Sequence, residues 1–146
     1  MGTVNGAGQV ADLTRQRLIR HGLAAAVALA GRLGFPSCEP VVLSNRGNLL
    51  VYFPAASLVA RVATLTAWTR RDPFRWLARE VAVARYIAGL GGPVVPPASG
   101  VDPGPHWQDG FAISLWEHAA PGTVAKLPAA APAQPSPREC GALLAQ

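Results

Sequence analysis

Residues 58–92 read LVARVATLTAWTRRDPFRWLAREVAVARYIAGLGG, and two elements in this stretch decide the fold. The first, Leu58 to Ala63, is β-branched and apolar enough to be a strand. Its alternation puts Ser57, Val59, Arg61 and Ala63 on one face and Leu58, Ala60 and Val62 on the other. Arg61 is the oddity, a cation mid-strand in a run otherwise apolar on both sides. The second element is a helix with a clear start: Asp72 is suited to the N-cap, and Pro73 to the first helical position, where its missing N–H costs nothing. The helix runs through Phe74, Trp76, Leu77, Glu80, Val83, Ala84 and Ile87 and stops at the Gly89, Gly91 and Gly92 cluster. Glu80 has only Trp76, Leu77, Val83 and Ala84 at three and four positions' distance, so no base on its own helix can pair it. A carboxylate on a packing face is costly unless a cation reaches it from elsewhere. The expectation is that Arg61 and Glu80 meet across a sheet–helix interface. Two plainer readings stand beside it: a solitary fold-stabilising ion pair, or two residues at the solvent edges of their elements.

Upstream, Val41-Val42-Leu43 and Leu49 to Phe53 flank Ser44-Asn45-Arg46-Gly47-Asn48, a turn in which Gly47 can take positive φ, so a hairpin is predicted. Pro54-Ala55-Ala56 is a second turn, and residues 64–71 link the third strand to the helix. A further helix is predicted over about 12–33, with Ile19, Leu23, Ala26, Ala30 and Leu33 at steps of three and four, Asp12 as cap, and Gly34 with Pro36 as stop. Arg15, Arg17 and Arg20 ahead of the apolar run Leu23–Ala30 imitate a signal peptide. The run is short for that role and far short of a membrane span, so the amphipathic helix is preferred. Residues 1–11 are small and polar and are expected to be disordered.

Downstream, Pro93–Pro97 and Gly100–Asp109 are turn-rich, with room for a short strand between them, and Asp109-Gly110 opens a last strand from Phe111 to Trp116. The fold class is therefore α+β, with an antiparallel sheet of about five strands, one packed helix and an N-terminal helix. Residues 12–118 form this unit. Residues 119–137 carry five prolines and read as a stiff Pro/Ala-rich hinge linker. Ser136-Pro137-Arg138-Glu139 is a capping box that announces a helix over 138–146. The chain stops where that element begins, which suggests the first part of a longer protein.

Composition narrows the function classes. The 146 residues are 50% hydrophobic and 14% charged, which excludes a disordered charged chain. The formal net charge is +5, and eleven of the twelve arginines lie between residues 10 and 90, against four acids. That placement invites a phosphate or nucleic-acid partner. Cys38 and Cys140 frame no zinc site and no disulfide scaffold, which fits a reducing, cytoplasmic compartment. His21, His106 and His118 are dispersed, without metal-ligand spacing. Cys140 reads as a core residue of the incipient C-terminal helix. Trp68 with Arg70 and Arg71 has the look of a basic-aromatic nucleic-acid patch, although a solvated loop is the preferred account.

The order of elements resembles the small lobe of the protein-kinase-like phosphotransferases, and in particular the aminoglycoside phosphotransferase family. The segments that carry the resemblance are Leu43-Ser-Asn-Arg-Gly-Asn-Leu-Leu-Val51, Leu58-Val-Ala-Arg-Val62, Trp76-Leu-Ala-Arg-Glu-Val-Ala-Val83, Pro93-Val-Val-Pro-Pro97 and Leu115-Trp-Glu-His118, within about residues 40–146. The resemblance implies that Arg61 stands where the family places the base holding the α/β-phosphates of ATP, and that Glu80 orients it. It implies that Val59 contacts adenine, that the backbone of Trp116, Glu117 and His118 bonds adenine at the hinge, and that the turn containing Ser44, Asn45 and Gly47 lies over the phosphates. Two features depart from the family pattern. Only Gly47 is a glycine where the protein-kinase turn has three, and arginine replaces lysine, a planar fork in place of a point charge.

The same resemblance implies ATP, with Mg²⁺ in the complete enzyme, and a small-molecule hydroxyl acceptor bound by a second, absent lobe. The chain has no H-x-D-x-x-x-x-N loop, and Glu139 is the one acid after the hinge, so catalytic and metal-binding residues are expected elsewhere. The chain alone is expected to bind ATP weakly or not at all and to turn nothing over. Two other functions compete: a non-catalytic kinase-like module that associates through the exposed lobe interface, and a basic nucleic-acid binder using Arg70, Arg71 and Arg75. No membrane partner is expected.

Overall fold

A computed structural model describes residues 5–36, 39–65 and 71–119. Both cysteines, the Trp68/Arg70 patch, the hinge from residue 120 and the expected helix over 138–146 lie outside the described residues. The described elements are α1 (Asn5–Arg32), β1 (Val41–Ser44), β2 (Leu49–Phe53), β3 (Leu58–Val62), α2 (Pro73–Gly89), β4 (His106–Gln108) and β5 (Phe111–Glu117). The fold is α+β: the strands form one antiparallel sheet in the order β1-β2-β3-β5-β4.

Alternation along the strands gives the sheet two unlike faces, and each helix takes one. Leu49, Val51 and Phe53 of β2, Leu58, Ala60 and Val62 of β3, and Ile113 and Leu115 of β5 are buried against Ala25, Ala26, Leu29 and Ala30 of α1. The small residues let α1 lie close. At Gly22 an added Cβ would stand 3.3 Å from both Leu49 Cδ2 and Thr64 Cγ2. The opposite face carries Ala63 and Ala112, covered by Leu77 and Phe74 of α2. Leu77, Val81 and Ala84 are the buried residues of α2, spaced four and three apart as a packing stripe requires.

The caps of α2 follow the sequence reading. The Asp72 carboxylate accepts the Arg75 N–H at 3.0 Å, and Pro73 opens the helix. At the other end Gly92 N–H donates to Ile87 O at 2.9 Å and Gly91 N–H to Ala88 O at 3.0 Å, the paired bonds of a Schellman stop. The corresponding bonds at the end of α1 are Phe35 N–H to Ala30 O and Gly34 N–H to Gly31 O. The β4–β5 hairpin turns on Asp109 and Gly110, both at positive φ. Gly47 takes the left-handed conformation expected of it, with φ 78°.

Three expectations need correction. The first helix begins at Asn5, not at Asp12, so residues 5–11 are helical and not disordered. Once the buried half of α1 is nucleated, adding further turns costs little, and Thr14 and Gln16 add side-chain bonds to Val10 O and to Asp12. Asp12 is therefore inside the helix and caps nothing. The fourth strand, His106–Gln108, lies within the stretch read as turns. Beyond it, residues 96–103 run along the outer edge of β5: Ala98 N–H donates to Leu115 O, Leu115 N–H to Pro103 O, and Glu117 N–H to Pro96 O. No helix among the described residues is long and apolar enough to cross a membrane.

Candidate functional site: a cleft between the sheet and α2

The sheet face that α1 does not cover is only partly covered by α2, and the remainder is the floor of an open cleft of about 1000 Å³. Its floor is set by strand register. Leu50 pairs with Arg61, Val59 with Trp116, and Arg61 with Ser114, so these side chains share the α2 face. The wall is α2, with Trp76, Glu80, Val83 and Ile87, and one end is closed by the loop Pro93–Val95.

At the middle of the cleft Arg61 Nη1 donates to Glu80 Oε2 at 2.6 Å. The two residues singled out for want of local partners are thus partners of each other. Their side chains are 31% and 25% exposed, so the pair is neither buried in the core nor free in solvent. It sits on the cleft surface. The second carboxylate oxygen is also engaged, because Trp76 Nε1 donates to Glu80 Oε1 at 3.0 Å. Sequence periodicity counts Trp76 as apolar and so misses it, although an indole one turn before a carboxylate carries a usable N–H. With both oxygens bonded, Glu80 is held in one rotamer and fixes Arg61 in turn.

Trp116 is pinned in a similar way. Its Nε1 donates to Ser114 Oγ at 2.8 Å, and Ser114 is wholly buried opposite Arg61. At the far end the His118 ring stacks on Tyr52, centroids 4.0 Å apart and planes 21° from parallel. Val59, Arg61, Glu80, Trp116, Glu117 and His118 all line the one cleft, as does Ser44 in the turn. Asn45 and Gly47 do not. The Asn45 carbonyl accepts from Arg15 of α1 at 3.4 Å, and the Gly47 carbonyl accepts from Thr64 Oγ1 at 3.1 Å. The turn contributes Arg46 and Asn48 to the cleft instead, and α2 adds Arg79.

The backbone at the end of β5 is already partly used. Glu117 N–H donates to Pro96 O at 3.0 Å and His118 N–H to Ser57 O at 3.1 Å, so these donors are not available to a ligand. The Glu117 carbonyl differs, because Pro96 across from it has no N–H to return. The acids of this wall do not suit a divalent cation. Glu80 is bonded through both oxygens, and Glu117 Oε1 accepts from the Ser99 N–H at 2.9 Å and its hydroxyl at 3.0 Å. Among the described residues no group of three or more His, Cys, Asp or Glu gathers as a metal site. Comparisons with protein-family models, with curated proteins and with solved structures find no match to this chain.

Proposed function

We propose that this chain forms the nucleotide-binding wall of an ATP-dependent small-molecule phosphotransferase similar to the aminoglycoside phosphotransferases. The observation that carries the reading is the Arg61–Glu80 contact at 2.6 Å, in the middle of a cleft whose floor is otherwise apolar. With side chains 31% and 25% exposed, the pair lies beside a space large enough for a nucleotide and can be reached from it. Val59 and Trp116 offer an apolar surface for the base two residues along β3 from the guanidinium, about 7 Å at the strand rise. The Glu117 carbonyl, with no N–H opposite it, is the acceptor for an exocyclic amino group. Arg61, oriented by Glu80, places a positive charge on the cleft surface where phosphate oxygens would lie. Catalytic and metal-holding acids belong to a second lobe, with a small hydroxyl compound as acceptor, and no step of the transfer is assigned to the residues described.

A second reading, an association module without catalysis, is favoured by exposed apolar residues on α2 and at its C-cap, one of them on the cleft wall. Val83, Tyr86 and Leu90 are 40%, 52% and 71% exposed. One titration separates the two. Backbone and indole N–H spectra of the 146-residue chain are recorded with increasing MgATP. Weak but saturable shifts at residues lining the cleft, among them Val59, Arg61, Trp116 and the Trp76 indole, are expected, with no phosphate release. Spectra unchanged at millimolar ATP would leave the association reading as the better one.

A further inference from the structure

We infer that Arg46 and Arg79, together with Arg61, form a guanidinium track that holds the anionic tail of a linear polyphosphate. The inference rests on the nucleotide reading of the cleft but concerns two residues that reading does not need. Both line the same cleft as Arg61, Arg46 from the β1–β2 turn and Arg79 from α2. Both are exposed, and among the described residues the sole ion pair is Arg61–Glu80, so neither cation is spent on an acid.

The charge is placed at one end. Leu49, which follows the turn, pairs with Val62, whereas Glu117 pairs with Leu58 at the other end of β3. Moving along β3 from the base-binding floor at Val59, a ligand meets Arg61 and then the turn that carries Arg46. Arg79, next to Glu80 on α2, lines the same cleft, so three guanidiniums stand against the Glu80 carboxylate, which is already bonded twice. Glu117, the other acid on the cleft, lies at the far end and is bonded to Ser99.

The turn itself explains why side chains are needed. A phosphate cradle made of backbone N–H groups requires glycines that let the chain approach closely, and here Gly47 stands alone, with its carbonyl bonded to Thr64. Ser44, Arg46 and Asn48 face the cleft instead. Guanidinium forks bind phosphate oxygens bidentately and keep their charge at any working pH, so they replace backbone donors without a glycine-rich turn.

The test uses the 146-residue chain with three probes: inorganic tripolyphosphate, adenosine and ATP. Affinities are taken from spectral shifts at fixed ionic strength in EDTA. Arg46→Gln and Arg79→Gln are each expected to weaken tripolyphosphate about threefold to tenfold, and the double variant more, with adenosine unaffected. Arg85→Gln, an exposed arginine of α2 outside the cleft, is the control and leaves all three unchanged. Tripolyphosphate that fails to bind, binds the double variant as well as wild type, or loses as much with Arg85→Gln would overturn the inference. If adenosine still binds in any of those cases, the nucleotide reading survives alone. If tripolyphosphate binding depends on Arg46 and Arg79 but adenosine does not bind and ATP gains nothing over tripolyphosphate, the track stands and the nucleotide reading fails.

Discussion

Replacing Arg61 by Met and Glu80 by Gln, singly and together, measures the coupling on which the site depends. A fully exposed ion pair contributes about 0.2–1 kcal/mol, and a hydrogen bond to a charged group about 1.5–3 kcal/mol. With the two side chains 31% and 25% exposed and a contact of 2.6 Å, the pair falls between these cases, at about 1–2 kcal/mol. Arg61→Met leaves Glu80 with Trp76 as its remaining bonded partner in the cleft. Glu80→Gln keeps an acceptor for Trp76 but turns an amide donor toward a guanidinium. Each single variant should therefore lose about 1.5 kcal/mol, and the double variant no more than either, because the interaction is already gone. The assay is urea unfolding followed by tryptophan fluorescence, with thermal midpoints as a check, where about 1.5 kcal/mol corresponds to roughly 3–6 °C in a domain of this size. A coupling energy below about 0.3 kcal/mol would refute the reasoning, since solvent would then screen the pair completely.

Three other substitutions probe the scaffold that places the site. Leu29→Ala removes a wholly buried side chain between α1 and the sheet and should cost about 2–5 kcal/mol by urea unfolding; a loss under 1 kcal/mol would mean that α1 is loosely docked. Asp72→Ala removes the acceptor for the Arg75 N–H and should cost about 1 kcal/mol, with Asp72→Ser restoring most of it in the same assay. Gly104→Ala places a Cβ 2.8 Å from the His106 N at φ 85°, so a loss of about 1–3 kcal/mol is expected, and an unchanged midpoint would show that the entry to β4 is not held as described.

The features legible in the sequence were those in which a residue conflicts with its neighbourhood. Arg61 in an apolar strand and Glu80 on an apolar helix each lacked a local solution, and the cheapest remedy for both was the other. Asp72-Pro73 and Asp109-Gly110 were legible because backbone geometry restricts what can occupy a cap or a two-residue turn. Periodicity is blind to other things. It scores Trp76 and Trp116 as apolar bulk and overlooks the indole N–H that each uses, toward Glu80 and Ser114. It does not show that Arg46 and Arg79 line the cleft, because an exposed arginine looks the same whether it faces a cavity or open solvent. The path of residues 96–103 along β5 was also hidden, because it depends on an unpaired strand edge that exists only after the sheet has formed. With it was hidden the fate of the backbone donors at Glu117 and His118. Local polarity also says nothing of a helix extended from its packed half, so it does not show that α1 starts at Asn5, before Asp12.

The most direct measurement is an ATP titration of the Arg61→Met/Glu80→Gln protein beside wild type, after both are shown to be folded by their spectra and unfolding curves. A clamp for a phosphate tail requires that the double variant, no less stable than either single one, lose the ATP-dependent shifts at Val59 and Trp116. Shifts of the same size and midpoint in both proteins would show that the pair serves the fold and not a ligand.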